Sequence, residues 1–226
     1  MIKIHEIFPT IVYQGEILHH NQFKNQYLEE LKKYWFNGYE NESPENSERI
    51  FLHHNIKYEI FFQDLLKNVY DYLNIFDVEV NKFNFYVTKS WIGFHKNTEP
   101  TLAIHNHNSS NISFCYYMSS NDTSDKFCAH QRLNNNEISG GIFDTHSKFN
   151  TIKRFNKYNC NQYTITPIEG SILIFPGSLL HSTLRTQEMA GERIVIAGDI
   201  VMTLKEEYQN HHQSIVDPST WVQLSS

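Results

Sequence analysis

From residue 78 onward the chain changes its period. The run VEVNKFNFYVTKSWIGFH (78–95) alternates and is rich in Val, Phe, Tyr and Trp, the composition that strands favour. ISFCYYM (112–118), QYTITPI (162–168), SILIF (171–175) and RIVIAGDIVM (193–202) follow as further short β candidates, separated by polar or Gly/Pro turns. Many short strands with no long helix between them favour an antiparallel sandwich or barrel. The residues before the change read differently. NQFKNQYLEELKKYWF (21–36) places Phe23, Tyr27, Leu28, Leu31, Tyr34 and Trp35 at helical spacing, with Asn21 as the expected N-cap. After the polar loop NGYENESPENSE, KYEIFFQDLLKNVYDYLN (57–74) again repeats apolar groups every three or four positions. The expectation is a single, mainly β domain over 1–226: an N-terminal strand and helical layer (1–77), a β core (78–204) and a polar C-terminal appendage (205–226).

A chain of 226 residues with 40% hydrophobic content buries a substantial core without covalent staples. Its mean hydropathy of -0.50 reflects Asn, Gln, Lys and Glu rather than disorder. Nineteen basic against 25 acidic residues give a net charge of -6, with no long run of one sign. Generic attraction to nucleic acid or to a membrane is therefore not expected. Lys148, Lys153, Arg154 and Lys157 form a basic stretch that reads as a solvated loop. Cys115, Cys128 and Cys160 are odd in number and lack CxxC spacing, which argues against a disulfide framework and for the reducing cytoplasm. MIKIHEIFPTIVYQG lacks the pattern of a signal peptide, and no apolar run approaches a membrane span.

The chemistry concentrates in AIHNHNSSN (103–111). On an extended strand, residues i and i+2 share a face, so His105 and His107 can converge on one point. Two imidazoles make a weak metal site, and the best placed third ligand is His181, which ends IFPGSLLH directly after SILIF. Three protein ligands that leave open positions suit a catalytic metal. The adjacent pairs His19-His20, His53-His54 and His211-His212 diverge on a strand and read as surface residues. Arg193, twelve residues after His181, leads into the apolar IVIA and should reach a carboxylate with its planar fork. Its bland alternative is a rim salt bridge with Glu192 or Glu188, and Arg185 is its weaker rival. The weakly patterned segment 119–161 has the character of a lid.

These blocks carry a resemblance. SWIGF and HNHNSSNISFCYY between Ser90 and Tyr117, ITPIEGSILIFPGSLLHST (165–183), GERIVIAGDI (191–200) and the opening IFPTIVYQGEI resemble the 2-oxoglutarate- and Fe(II)-dependent oxygenases of marine bacteria and their phages. That family has a serine-tryptophan strand, a His-x-His-Pro-Asn-Ser stretch, then Gly, an apolar strand, Phe-Pro and His. Asn108 stands where the family has Pro, Phe114 where it has Gly, and Gly93 and His95 fall near expected Asn and Tyr positions. The resemblance implies a double-stranded β-helix, a cupin-like jelly roll with iron at its mouth. His105 and His181 map onto two metal ligands, and His107 or an acid such as Asp144 supplies the third. Arg193 is implied for the distal carboxylate of 2-oxoglutarate, and Ser113, like Ser110, for a hydroxyl contact to cosubstrate or substrate. Trp91, Tyr116 and Tyr117 are read as core or cavity lining. The implied reaction consumes 2-oxoglutarate and O2, releases succinate and CO2, and hydroxylates a C–H bond of a small molecule or peptide; a homodimer is compatible. Two other readings stand beside it: a three-histidine cupin dioxygenase that does without 2-oxoglutarate, and a non-catalytic jelly-roll binding module.

Overall fold

The computed structural model describes residues 8–38, 51–96, 101–131, 152–208 and 215–223, together with positions 3, 4, 6 and 136. The N-terminal third forms strand β1 (Tyr13–Glu16), helix α1 (His20–Gly38) and helix α2 (Glu59–Asn74). Seven strands follow: β2 (Phe83–His95), β3 (Ile112–Ser119), β4 (Lys126–His130), β5 (Gln162–Ile165), β6 (Ser171–Pro176), β7 (Leu180–Leu184) and β8 (Arg193–Leu204). They make a five-stranded sheet in the order β1-β6-β3-β8-β2 and a three-stranded sheet in the order β5-β4-β7. All pairings are antiparallel. The fold is the mainly β jelly roll with an N-terminal helical layer that the sequence led us to expect.

Strand alternation divides the interior into two cores. Ile172 and Ile174 of β6, Ile194 and Ile196 of β8, and Phe114 and Tyr116 of β3 join a cluster with Phe23, Tyr27 and Leu31 of α1 and Phe61, Leu65 and Val69 of α2. The helices therefore cover one face of the larger sheet with the apolar stripes that their periodicity encodes. The intervening residues Leu173, Phe175, Val195 and Tyr117 pack with Phe127 of β4 between the two sheets. Strands buried on both faces explain why SILIF and RIVIA read as nearly continuous apolar runs.

Several boundaries differ from those predicted. Helix α1 starts at His20, so Asn21 lies inside it; the Asp64 carboxylate on α2 instead accepts a bond from the His19 backbone N–H at 2.8 Å. A tertiary contact thus replaces the local cap. Residues 80–82 form a 3-10 turn after Asp77, which holds a positive φ of 54°, and β2 begins only at Phe83. Strand β4 lies within the segment read as a lid, of which residues 132–135 and 137–151 fall outside the described residues. Strand β7 was not anticipated, because LHSTL is short and half polar, and it carries His181 into the smaller sheet. The C-terminal segment folds back on β2, where Asp217 accepts bonds from Asn84 Nδ2 (2.8 Å) and the Tyr86 hydroxyl (3.2 Å). Among the described residues, no helix is long and apolar enough to cross a membrane.

Candidate metal and cosubstrate centre

Strand register decides which side chains face the space between the sheets. On β8, Arg193, Val195, Ala197 and Asp199 share one face, opposite His95, Gly93, Trp91 and Lys89 on β2. Ser113, Cys115 and Tyr117 of β3 oppose Asp199, Ala197 and Val195 from the other side. The smaller sheet contributes His181 from β7, and the segment after residue 101 runs alongside it. His105 and His181 exchange both backbone hydrogen bonds at 2.9 Å, and the His107 N–H reaches the Gly177 carbonyl at 2.8 Å. Gly177 permits that approach, since a Cβ there would lie 2.2 Å from Ser110 Oγ and 2.9 Å from the His107 carbonyl.

His105, His107 and His181 converge, with one ligand atom from each lying within 4.8 Å of the others. Each ring is oriented through Nδ1. His105 donates to the Ala103 carbonyl at 2.8 Å and His181 to the Leu179 carbonyl at 2.9 Å. His107 Nδ1 lies 2.7 Å from Asp199 Oδ1. Carbonyls and carboxylates only accept, so all three rings carry their proton on Nδ1 and present a bare Nε2 lone pair. This donor set fits a divalent transition metal with open coordination positions. Burial pushes the His181 pKa down to about 4, which keeps it neutral at physiological pH. Trp91 stacks on His107 (5.6 Å between centroids, 10°) and Phe127 on His181 (5.4 Å, 15°), holding the ring planes.

The triad opens on a cavity of about 340 Å³ whose walls include Trp91, His95, Tyr117, Phe175 and Arg193. Arg193 is 2% exposed. Its Nη1 donates to the Asp125 carbonyl at 2.6 Å, while its Nε has no partner. The rim salt bridge is not formed, because Glu192 pairs with Lys32 and Lys96. Arg185 is committed elsewhere, donating twice to the Asp125 carboxylate at 2.8 Å and once to the Lys96 carbonyl at 3.0 Å. A buried guanidinium with an unmatched donor, lining the same cavity as the triad, fits an anionic ligand such as a cosubstrate carboxylate. Burial raises the Cys115 thiol and the Tyr117 phenol, so these wall groups stay protonated.

Some sequence-based expectations are corrected. His105 and His107 do not sit on a regular strand; they converge because an irregular segment is tied at His105 to His181 and at His107 to Gly177. The Ser113 hydroxyl does not face the cavity contents but donates to Asp199 Oδ1 at 2.9 Å, with Ser110 Oγ 3.1 Å behind it. Tyr116 belongs to the helix-side core and bonds His20 Nδ1 at 2.8 Å. His19, His20 and His53 are partly buried and engaged by Asp64, Tyr116 and Ser90 rather than free on the surface. Asp144 and the pair His211-His212 lie outside the described residues. Sequence reasoning missed Asp199, although a carboxylate within RIVIAGDIVM carries its own signal: an acid in an apolar strand must find a partner. It also missed Asp125, whereas His95, one of the departures from the family pattern, does line the cavity wall.

Fold and site together define a class: a jelly-roll protein in which three histidines that could hold a metal converge beside a buried arginine. Residues 89–199 match the sequence model of the family described as "Putative 2OG-Fe(II) oxygenase". No curated protein matches the sequence. Among solved structures, the nickel complex of the non-haem monooxygenase ThoJ aligns with TM-score 0.55 and 10% identity over 85% of this chain and 74% of its own. HygX from Streptomyces hygroscopicus, with nickel and 2-oxoglutarate bound, aligns with TM-score 0.50 and 14% identity over 85% of this chain and 82% of its own. A 2OG-Fe(II) oxygenase family oxidoreductase from Burkholderia pseudomallei aligns over 52% of this chain, with TM-score 0.36 and 10% identity, so that this chain spans 45% of that protein.

Proposed function

We propose that the enzyme holds Fe(II) through Nε2 of His105, His107 and His181, takes the distal carboxylate of 2-oxoglutarate at Arg193, and hydroxylates a C–H bond of a small molecule or peptide. One observation carries this reading: Arg193, whose buried Nε is unmatched, lines the same cavity as the triad. Iron, 2-oxoglutarate and O2 supply the oxidising chemistry, with succinate and CO2 as co-products. The protein's own part is positional. Nδ1 bonds to Ala103, Leu179 and Asp199 fix the three ligand rings before metal arrives. The Asp125 carbonyl holds Arg193 in place, and Asp125 is itself clamped by Arg185. Aromatic walls from Trp91, Tyr117, Phe127 and Phe175 exclude water from the reacting centre. A dioxygenase that did without 2-oxoglutarate would leave the Arg193 Nε without a use. Three free thiols support a cytoplasmic setting.

The test is anaerobic addition of Fe(II) and then 2-oxoglutarate to metal-free protein. A visible charge-transfer band is expected in the wild type and is absent in Arg193→Ala and His181→Ala. Stoichiometric iron binding with no band would overturn the cosubstrate assignment.

A further inference from the structure

Among the described residues, four buried side-chain polar atoms lack a hydrogen-bond partner: His95 Nδ1, Arg193 Nε, Ser120 Oγ and Thr203 Oγ1. Leaving such an atom unmatched is destabilising, so each asks for a reason. Ser120 and Thr203 are hydroxyls on residues that do not line the cavity. His95 and Arg193 both line it, and they are direct partners across the β2–β8 ladder. Each of these two paired residues of one cavity wall thus carries a buried, unmatched nitrogen atom.

We infer that His95 is a second recognition group for 2-oxoglutarate, its imidazole N–H donating to the distal carboxylate beside the Arg193 guanidinium. The inference rests on the cosubstrate reading above. His95 is 5% exposed, and burial, followed by the nearby Arg193 charge, drives its pKa down to about 3. A neutral imidazole avoids placing a second cation against the arginine, yet it still offers one N–H donor. A monoanionic carboxylate end matched by one cation and one neutral donor leaves no excess buried charge. Gly93, two residues back on the same face, keeps this corner open. A Cβ there would lie 2.8 Å from Val195 Cγ2 and 3.5 Å from His95 Nε2.

The ligand that isolates this contact is 2-oxopentanoate, which keeps the 2-oxo acid and replaces the distal carboxylate by a methyl group. Dissociation constants for 2-oxoglutarate and 2-oxopentanoate are measured by calorimetry on Ni(II)-loaded wild type, His95→Phe and His95→Gln. In His95→Phe, 2-oxoglutarate should bind about 10- to 100-fold more weakly, the loss of one bond to a charged group. Binding of 2-oxopentanoate should be unchanged, and His95→Gln, which retains an N–H donor, should recover part of the loss. An unchanged 2-oxoglutarate constant in His95→Phe, with binding still dependent on Arg193, overturns the role of His95 and leaves the cosubstrate reading intact. Equal wild-type affinity for the two acids overturns the reading itself and this inference with it. A measurement on unaltered sequence guards against misfolding of the variants. In Zn(II)-loaded protein carrying ¹⁵N-histidine, 2-oxoglutarate but not 2-oxopentanoate should shift the His95 ring nitrogens, and the absence of any shift overturns the inference.

Discussion

The two faces of the larger sheet are built from the same strands but to different ends. On the helix side, Phe23, Phe61, Phe114 and Tyr116 are each at most 1% exposed, and the Tyr116 hydroxyl is matched by His20. On the side facing the smaller sheet, alternate residues of the same strands supply His95, Arg193 and Asp199, and two of these keep an unmatched atom. The helix side is arranged for stability. The cavity side keeps two buried nitrogen atoms without partners, so stability and the proposed function should separate along the strand pleat.

The largest effect should come from the cavity side. His181→Ala removes one of three ligands and should abolish stoichiometric Fe(II) binding in equilibrium dialysis, while the far-UV circular dichroism stays that of the folded protein. Arg193→Met should abolish measurable 2-oxoglutarate binding yet leave the thermal midpoint unchanged or raised, because it removes a buried charge with an unmatched donor. A large drop in the midpoint would break the comparison between the faces.

The helix side should answer in the opposite way. Phe61→Ala should cost about 3–5 kcal/mol in denaturant unfolding through the cavity it leaves among Phe23, Phe114 and Tyr116. The metal affinity of the folded fraction should not change.

Acid should weaken the cavity side first. His95 has a folded pKa of about 3 against the ordinary imidazole value of 6.5 that it takes in the unfolded chain. As pH falls below 6.5 the unfolded chain takes the proton and the folded one does not. This contribution to stability is therefore complete above pH 6.5 and drains away down to about pH 3. Between pH 7 and pH 4.5 the metal-free protein should lose roughly 2–3 kcal/mol from this group. His95→Phe should lose correspondingly less, and equal slopes for the two proteins would refute the assignment.

Asp199→Asn keeps the packing but replaces the carboxylate that orients His107, and should weaken Fe(II) binding about 10- to 100-fold. At the small end, Lys157→Ala breaks a fully exposed pair with Glu6 and should shift the thermal midpoint by less than a degree or two.

Much of this division was legible before any coordinates. The helices announced themselves through Phe23, Tyr27 and Leu31 and through Phe61, Leu65 and Val69, because burial on one stripe leaves a period near four. The triad was legible because HxH and a histidine after an apolar strand are chemically unusual. Arg193 was legible as a cation leading into a core strand. What stayed hidden depends on partners distant in sequence. LHSTL becomes a strand only because it pairs with KFCAH, and helix α1 starts where Asp64, 45 residues away from His19, accepts its N–H. The convergence of His105 and His107 rests on the reciprocal bonds between His105 and His181 and on one bond from His107 to Gly177 rather than on a regular strand. The bond from Ser113 to Asp199 stayed hidden because a hydroxyl near a histidine motif does not reveal which carboxylate lies behind it.

Strand β8 carries the cavity-wall arginine at position 193 and the carboxylate behind His107 at position 199, six residues apart on one pleat face. Even spacing is what lets one uninterrupted strand serve both ends of the cavity. Inserting or deleting a single residue between them would send one of the two into the aromatic helix layer, whichever way the strand realigned. Length changes inside β8 are thus filtered by parity, with only pairs of residues preserving the facing, whereas the connecting loops carry no such restriction. For anyone remodelling this protein, β8 is a two-toothed gear that can be moved only by whole teeth.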